Sequence, residues 1–295
     1  MMYTPNTSRP ALIRKLPKGE TRTLDRLIDH YEIEKRLAQR LMQSDQVERR
    51  QQYVELYDAL FQMVPDHPML TEKRSPEAAA RRGDRELRRI ERFLTPQSTF
   101  LEIGPGDCSL SFRVAAQVRK VFAVDVSREI AERHDSPANF ELIISDGSSI
   151  PVPDGSVDFA YSNQLMEHLH PDDASRQLEN VYRCLAPGGR YVVITPNRLT
   201  GPHDISRYFE RSASGFHLCE YTYRDLSEIL HRAGFVDLKA GISFRSSLRW
   251  LPVSPLHLIE AVFRRSSKRQ SGRQTLAMSR AVGALLGVTI LARKP

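Results

Sequence analysis

An α/β fold around a mostly parallel sheet is predicted by three observations. Between residues 99 and 243, short apolar runs alternate with segments that suit helices, the pattern of a parallel sheet covered by helices. The first apolar run, Phe100 to Ile103, is followed by Gly104-Pro105-Gly106 and then by a helix-compatible stretch from Cys108 to Val118. A second run, Val121 to Val124, ends in an acid, Asp125. Strand, glycine-rich turn and helix is how a Rossmann-like sheet opens a nucleotide site. The glycines let the backbone approach a ligand, and the helix N-terminus offers free N–H groups. An acid closing the second strand, about 20 residues on, is placed to hold a ribose diol.

Taken in order, residues 1–20 carry Pro5, Pro10 and Pro17 without a hydrophobic period and read as a flexible arm. Leu24, Leu27, Ile28, Tyr31, Leu37 and Leu41 then fall at helical spacing. Asp45 with Glu48 makes a capping pair for a second helix, whose stripe is Tyr53, Leu56, Tyr57, Leu60, Phe61 and Val64. Pro65 to Pro68 stops it, and His67 between those prolines reads as a surface turn residue. Ser75-Pro76-Glu77 supplies an N-cap, an N1 proline and a first-turn acid for a third helix running to Pro96. Residues 1–95 are thus an arm and a helical N-terminal section, packing over the sheet edge or the mouth of the site. Expected strands are 99–103, 120–125, 139–144, 157–162, 190–195, 235–243 and 288–293. Expected helices are 108–118, 127–134, 172–186 and 222–233.

A dinucleotide fingerprint wants a third glycine near position 109, where the chain has Ser109. The stretch Glu102-Ile103-Gly104-Pro105-Gly106-Asp107-Cys108 instead resembles motif I of class I S-adenosylmethionine (SAM) dependent methyltransferases, with Cys108 in place of the usual third glycine. Asp146-Gly147 resembles the family's adenine-contacting acid after the third strand. Residues 156–163 and 184–195 resemble its fourth strand and the turn and strand that follow. The resemblance covers roughly residues 97–243. It implies a seven-stranded, mostly parallel sheet closed by an antiparallel hairpin, in a domain spanning 96–295. Residues 245–286 would then be a helical insertion before the last strand, with helices over 256–265 and 276–286. It also implies SAM as cofactor, with Glu102, Gly104, Gly106, Asp125, Asp146, Gly147 and Asn163 around it.

For chemistry, ligands in such sheets sit outside the carboxyl ends of the strands. Gln164 to His170 follows the fourth strand, and His168 is the expected general base, since neutral imidazole suits proton removal near pH 7. Glu167-His168 resembles the end of a Glu-x-x-Glu-His pattern that some methyltransferases place around a divalent metal. Gln164 stands where the first acid would be, so no metal is expected. The polar loop after the fifth strand resembles a substrate-side insertion, and His203, His217 and Tyr221 are its candidate substrate residues.

Charge narrows the partners. From Arg245 onward there are ten lysines and arginines against one acid, Glu260, a net of +9; the rest of the chain is therefore at −2 within a total of +7. A near-neutral core argues against a face built to grip nucleic acid. The Asp/Asn-Pro-Pro-aromatic motif of nucleic-acid amine methylation is also missing where Ser162-Asn163-Gln164 stands. Leu256, Ile259 and Phe263 followed by Arg264, Arg265, Lys268, Arg269 and Arg273 suit an interfacial helix on anionic lipid. No secretory leader is expected in the first twenty residues, and Cys108, Cys184 and Cys219 lack metal spacing, so a reduced, cytoplasmic protein is expected. Peripheral contact at the inner membrane surface would come through the basic insertion. The expected function is methyl transfer from SAM to a small-molecule, lipid-linked or glycan acceptor, most simply at oxygen. A non-catalytic SAM-binding scaffold or, behind it, an NAD-dependent dehydrogenase is the alternative.

Overall fold

A computed structural model describes residues 10–16, 19–68, 70, 76–126, 136–244, 247–267 and 287–295. Its strands are β1 (Thr99–Ile103), β2 (Lys120–Asp125), β3 (Phe140–Ile144), β4 (Val157–Asn163), β5 (Leu185–Thr195), β6 (Val236–Phe244), β7 (Ser247–Pro252) and β8 (Val288–Arg293). Its helices are α1 (Leu24–Gln43), α2 (Gln46–Met63), α3 (Pro76–Ile90), α4 (Ser109–Ala115), α5 (Pro171–Cys184), α6 (Tyr223–Arg232) and α7 (Ser254–Ser267). The sheet order is β3-β2-β1-β4-β5-β8-β6-β7. Strands β1 to β5 pair in parallel, while β8 lies antiparallel between β5 and β6.

The sheet has eight strands among the described residues, not the expected seven. The extra one, β7, forms an antiparallel hairpin with β6 inside the stretch read as an insertion. Its apolar pattern is broken because Trp250 and Leu251 are adjacent and so take opposite faces, leaving Leu251 52 % exposed, while Pro252 is tolerated only at an edge. Expected helix 172–186 ends two residues earlier, because β5 begins at Leu185 and runs through Pro187-Gly188-Gly189. The expected helices over 127–134 and 276–286, and the proposed cap at Ser75, lie outside the described residues.

Alternation within β1 sorts two cores. Leu101 and Ile103 join Leu37, Leu41, Leu56, Leu60, Leu178 and Leu226 on one face. Phe100 joins Ile90, Leu110, Val114 and Phe159 on the other. Helices α1 and α2 therefore share the sheet's own core. The Asp45–Glu48 capping box is formed reciprocally at 3.0 and 3.1 Å and starts α2 where the sequence places it.

What holds α2 in place is buried and charged. The Arg49 guanidinium donates to both oxygens of Asp173 on α5, at 2.6 and 3.1 Å, and Tyr53 Oη donates to the same carboxylate at 2.8 Å. The Arg49 and Asp173 side chains are only 5 % and 1 % exposed. Tyr53 Oη in turn accepts the backbone N–H of His170. Removing one partner of a buried pair leaves the other charge uncompensated. Asp173→Ala should therefore cost about 3–5 kcal/mol of stability, read by chemical denaturation, whereas replacing the exposed Glu228 of the Arg224 pair should cost under about 1 kcal/mol.

Candidate active site

The carboxyl ends of β1, β2 and β4 and the loop after β3 open under α2 into a cleft of about 980 Å³ of empty space that is continuous with solvent. Gly104 and Gly106 line its floor with Asp125, Gly147, Leu165 and His168. Tyr53, Val54, Tyr57, Asp58 and Phe61 form its roof. Both floor glycines adopt positive φ, +67° and +59°. A Cβ at Gly104 would press on Leu165 at 3.1 Å, and one at Gly147 would meet the Tyr53 ring at 2.9 Å. The turn ends at Cys108, buried and held at φ +57°, which explains why a glycine is the easier residue there.

Of the seven residues expected around a cofactor, four meet here: Gly104, Gly106, Asp125 and Gly147. Glu102 does not. It points to the opposite face from Leu101 and Ile103, accepts the Ser111 hydroxyl of α4, and burial pushes its carboxyl up to about 8. Asp146 turns back on its own loop, accepting the N–H groups of Ser148 and Ser149 at 3.0 and 2.7 Å, and pairs with Arg50 at 3.3 Å. The Asn163 amide donates to Glu86 of α3 at 3.0 Å, and neither lines the cleft.

The substrate-side candidates separate too. His203 packs inside its own loop, its N–H donating to Glu220 and its ring meeting Thr200 and the Asn197 carbonyl. Tyr221 belongs to the hydrophobic core. Only His217 reaches His168, with ring centroids 4.9 Å apart. His168 itself lines the cleft, donates Nδ1–H to the Phe216 carbonyl at 3.0 Å, and is held neutral because burial lowers its pKa to about 3. His67 is not a surface residue: it is buried against His30 and Phe61, with Nε2 3.3 Å from Glu34.

The N-terminal helices were expected over the sheet edge or the mouth of the site, but none of the roof residues was singled out as lining it. The roof's signal is the width of the α2 stripe: Leu56 and Leu60 serve the core alone, while Tyr53, in the same core cluster, and Tyr57 and Phe61, packed against it and spaced four apart, also line the cleft. One amphipathic face needs only the first set.

A family model described as a methyltransferase domain matches residues 101–193, which span the glycine turn, Asp125, His168 and β5. Over that stretch the chain carries a methyltransferase domain and is similar to SAM-dependent methyltransferases. It is 32% identical over 137 residues to a probable SAM-dependent methyltransferase of Mycolicibacterium smegmatis, covering 46% of this chain and 51% of that protein. It is also 32% identical over 149 residues to one of Mycobacterium tuberculosis, covering 49% and 52%. The chain thus spans about half the length of the curated relatives it matches. A solved phosphoethanolamine N-methyltransferase 2 of Haemonchus contortus with SAM superposes at a TM-score of 0.49, with 17% identity over 72% of this chain and 52% of that one. The residues of the cleft fit the family's cofactor, SAM. A carboxylate ends β2, the glycine turn has no Cβ to block backbone approach, and aromatic rings roof the space for a purine.

The loop from 196 to 222 is ordered by buried carboxylates. Glu34 on α1 accepts the Phe216 N–H at 3.1 Å and the His30 Nε2–H at 2.6 Å. Burial pushes its carboxyl up, but hydrogen bonds from His30, His67 and Phe216 outweigh burial and hold it at about 2. A carboxyl lowered from 4.5 contributes stability that is complete above about pH 4.5 and is lost as pH falls towards 2. The stability gap between wild type and Glu34→Gln should therefore shrink as pH falls from 4.5 towards 2 in urea titrations.

Proposed function

We propose that this protein transfers a methyl group from SAM to an acceptor oxygen inside the α2-roofed cleft, on a small or lipid-linked molecule. The observation that carries the reading is the convergence of Asp125, the Gly104–Gly106 turn and His168 on one roofed cleft. In this reading residues 96–295 are the transferase unit and the N-terminal helices supply its roof. When bound, the cofactor supplies an activated methyl on a sulfonium, whose S–C bond breaks, its electron pair staying on sulfur, as the acceptor's O–C bond forms. Asp125 accepts hydrogen bonds from the ribose hydroxyls. Gly104 and Gly106 admit the backbone to the amino-acid end, and Tyr53, Tyr57 and Phe61 exclude water from the line of transfer. His168 meets the acceptor hydroxyl: with Nδ1 committed to Phe216, its Nε2 is the atom left to accept that proton's hydrogen bond.

A hydrogen bond to a charged group contributes about 1.5–3 kcal/mol. Asp125→Ala should accordingly weaken SAM about tenfold to a hundredfold in calorimetry. Equal affinity in the two proteins contradicts the reading.

Contact with a lipid surface has one supporting observation. On α7, Leu256 and Phe263 are buried, but Leu258, Ile259 and Val262 stand 68, 43 and 55 % exposed just ahead of Arg264 and Arg265. The exposed face is therefore not the stripe read from the sequence, of which only Ile259 belongs to it; Lys268, Arg269 and Arg273 lie outside the described residues. No helix among the described residues is long and apolar enough to cross a membrane. An apolar face beside cations suits anionic lipid. The protein should sediment with phosphatidylserine-containing vesicles at low salt, release at high salt, and lose attachment as Leu258→Ser/Val262→Ser.

A further inference from the structure

Two clusters of histidine and carboxylate among the described residues bring ligand atoms within 4.8 Å of one another: His30, Glu34 and His67, and Glu167, His168 and His217. Their hydrogen bonds tell them apart. In the first, Arg22 donates to His30 Nδ1 at 2.9 Å, so the ring proton sits on Nε2 and is given to Glu34. That ring has no lone pair for an ion, and the cluster is a closed structural network.

In the second cluster each member is held from behind and left open in front. His168 gives its Nδ1–H to the Phe216 carbonyl at 3.0 Å, and His217 gives its Nδ1–H to Glu220 at 2.8 Å. In its neutral form each ring keeps the Nε2 lone pair; at His217 the neighbouring Glu220, Glu167 and Asp204 favour the proton, which a metal ion would have to displace. Glu167 accepts the Thr195 hydroxyl on Oε2 at 2.8 Å, while its Oε1, fully buried, meets no donor among the described residues. A buried carboxylate oxygen without a donor costs free energy that a partner must offset, and a ring nitrogen of His168 and one of His217 lie within 4.8 Å of a Glu167 carboxylate oxygen. Second-atom hydrogen bonds of imidazole to a carbonyl and a carboxylate are what orient metal ligands. The elements that do this are distant in sequence: Glu167 and His168 follow β4, Thr195 ends β5, and His217 and Glu220 lie in the loop pinned by Glu34.

We propose that Glu167, His168 and His217 bind one divalent transition-metal ion at the wall of the cleft. Two imidazoles and one carboxylate suit Zn²⁺ or a neighbouring first-row ion rather than Mg²⁺, which prefers all-oxygen shells. Three protein ligands would leave a coordination position for a further group, and of the three His168 lines the cleft. The missing first acid of the Glu-x-x-Glu-His pattern is no obstacle, because His217 supplies the third ligand from another element. The ion's role rests on the reading of the cleft as the transfer site and replaces the hydrogen bond from the acceptor hydroxyl to His168 Nε2, since that lone pair would be taken by the metal: bound to the acceptor hydroxyl, the ion would lower that group's pKa and let the proton leave to water before methyl transfer. The binding site itself does not depend on that reading.

The test is uptake of Zn²⁺ and Co²⁺ by the full chain after chelator stripping, with SAM affinity measured in parallel. Wild type should take up one equivalent, Co²⁺ should give the visible bands of a four- or five-coordinate nitrogen–oxygen site, and excess Mg²⁺ should not displace it. Glu167→Gln and His217→Ala should each weaken Zn²⁺ at least tenfold and leave SAM affinity within about twofold, which also shows that they fold. His67→Ala, in the other cluster, should leave uptake unchanged. No stoichiometric uptake by wild type overturns the proposal, as does uptake lost in His67→Ala but kept in His217→Ala. Metal uptake without SAM binding would instead overturn the transferase reading and leave the metal site standing.

Discussion

The buried Arg49–Asp173 pair is the constraint on which the site depends. A sheet with a glycine turn and an acid at the end of β2 presents only an open edge to solvent. The roof exists because α2 is tied across that edge by a bidentate pair whose carboxylate also receives Tyr53. The arrangement is costly to desolvate and specific in geometry. It fixes the register of Tyr53 over Gly147, where no Cβ fits. Stability and site shape are thus carried by one contact between an N-terminal helix and the helix after β4.

A second set of buried carboxylates does the same for the far wall. Glu34 reaches from α1 to the Phe216 N–H, Asp204 accepts the N–H groups of Gly215 and His217, and Glu220 accepts from His203 and His217. A loop that reads as polar and open is in fact wrapped around three acids. Glu260 repeats the device at the start of α6, taking the Tyr223 N–H and the Asn197 amide at 2.8 Å each and anchoring α7.

The parallel strands were legible because buried strands are continuous apolar runs, and the glycine turn because only a few residues accept positive φ. Asp125 followed from position alone. Glu102 was misplaced because motif order says nothing about which face of β1 a side chain takes, and alternation with Leu101 and Ile103 decides it. Asp146 was placed in the right loop, but its own serines claim the carboxylate. His67 was misread because prolines on either side suggest a surface turn, while the partner that buries it, Glu34, is far away in sequence. The pairing of His168 with His217 depends on how the loop after β5 folds back, which no local period encodes. The roof was expected in outline, as helices over the sheet edge or the mouth of the site, but its residues were visible only as an over-wide stripe on α2.

The central claim is that α2 and the strand ends together enclose the cofactor. Hydrogen exchange of the backbone amides with and without SAM tests it most directly. The account predicts slowed exchange in two separated segments at once, the floor at 104–106 and 125–126 and the roof at 53–61, with little change at β6 and β7. Protection of the floor without the roof, or of neither, would contradict it.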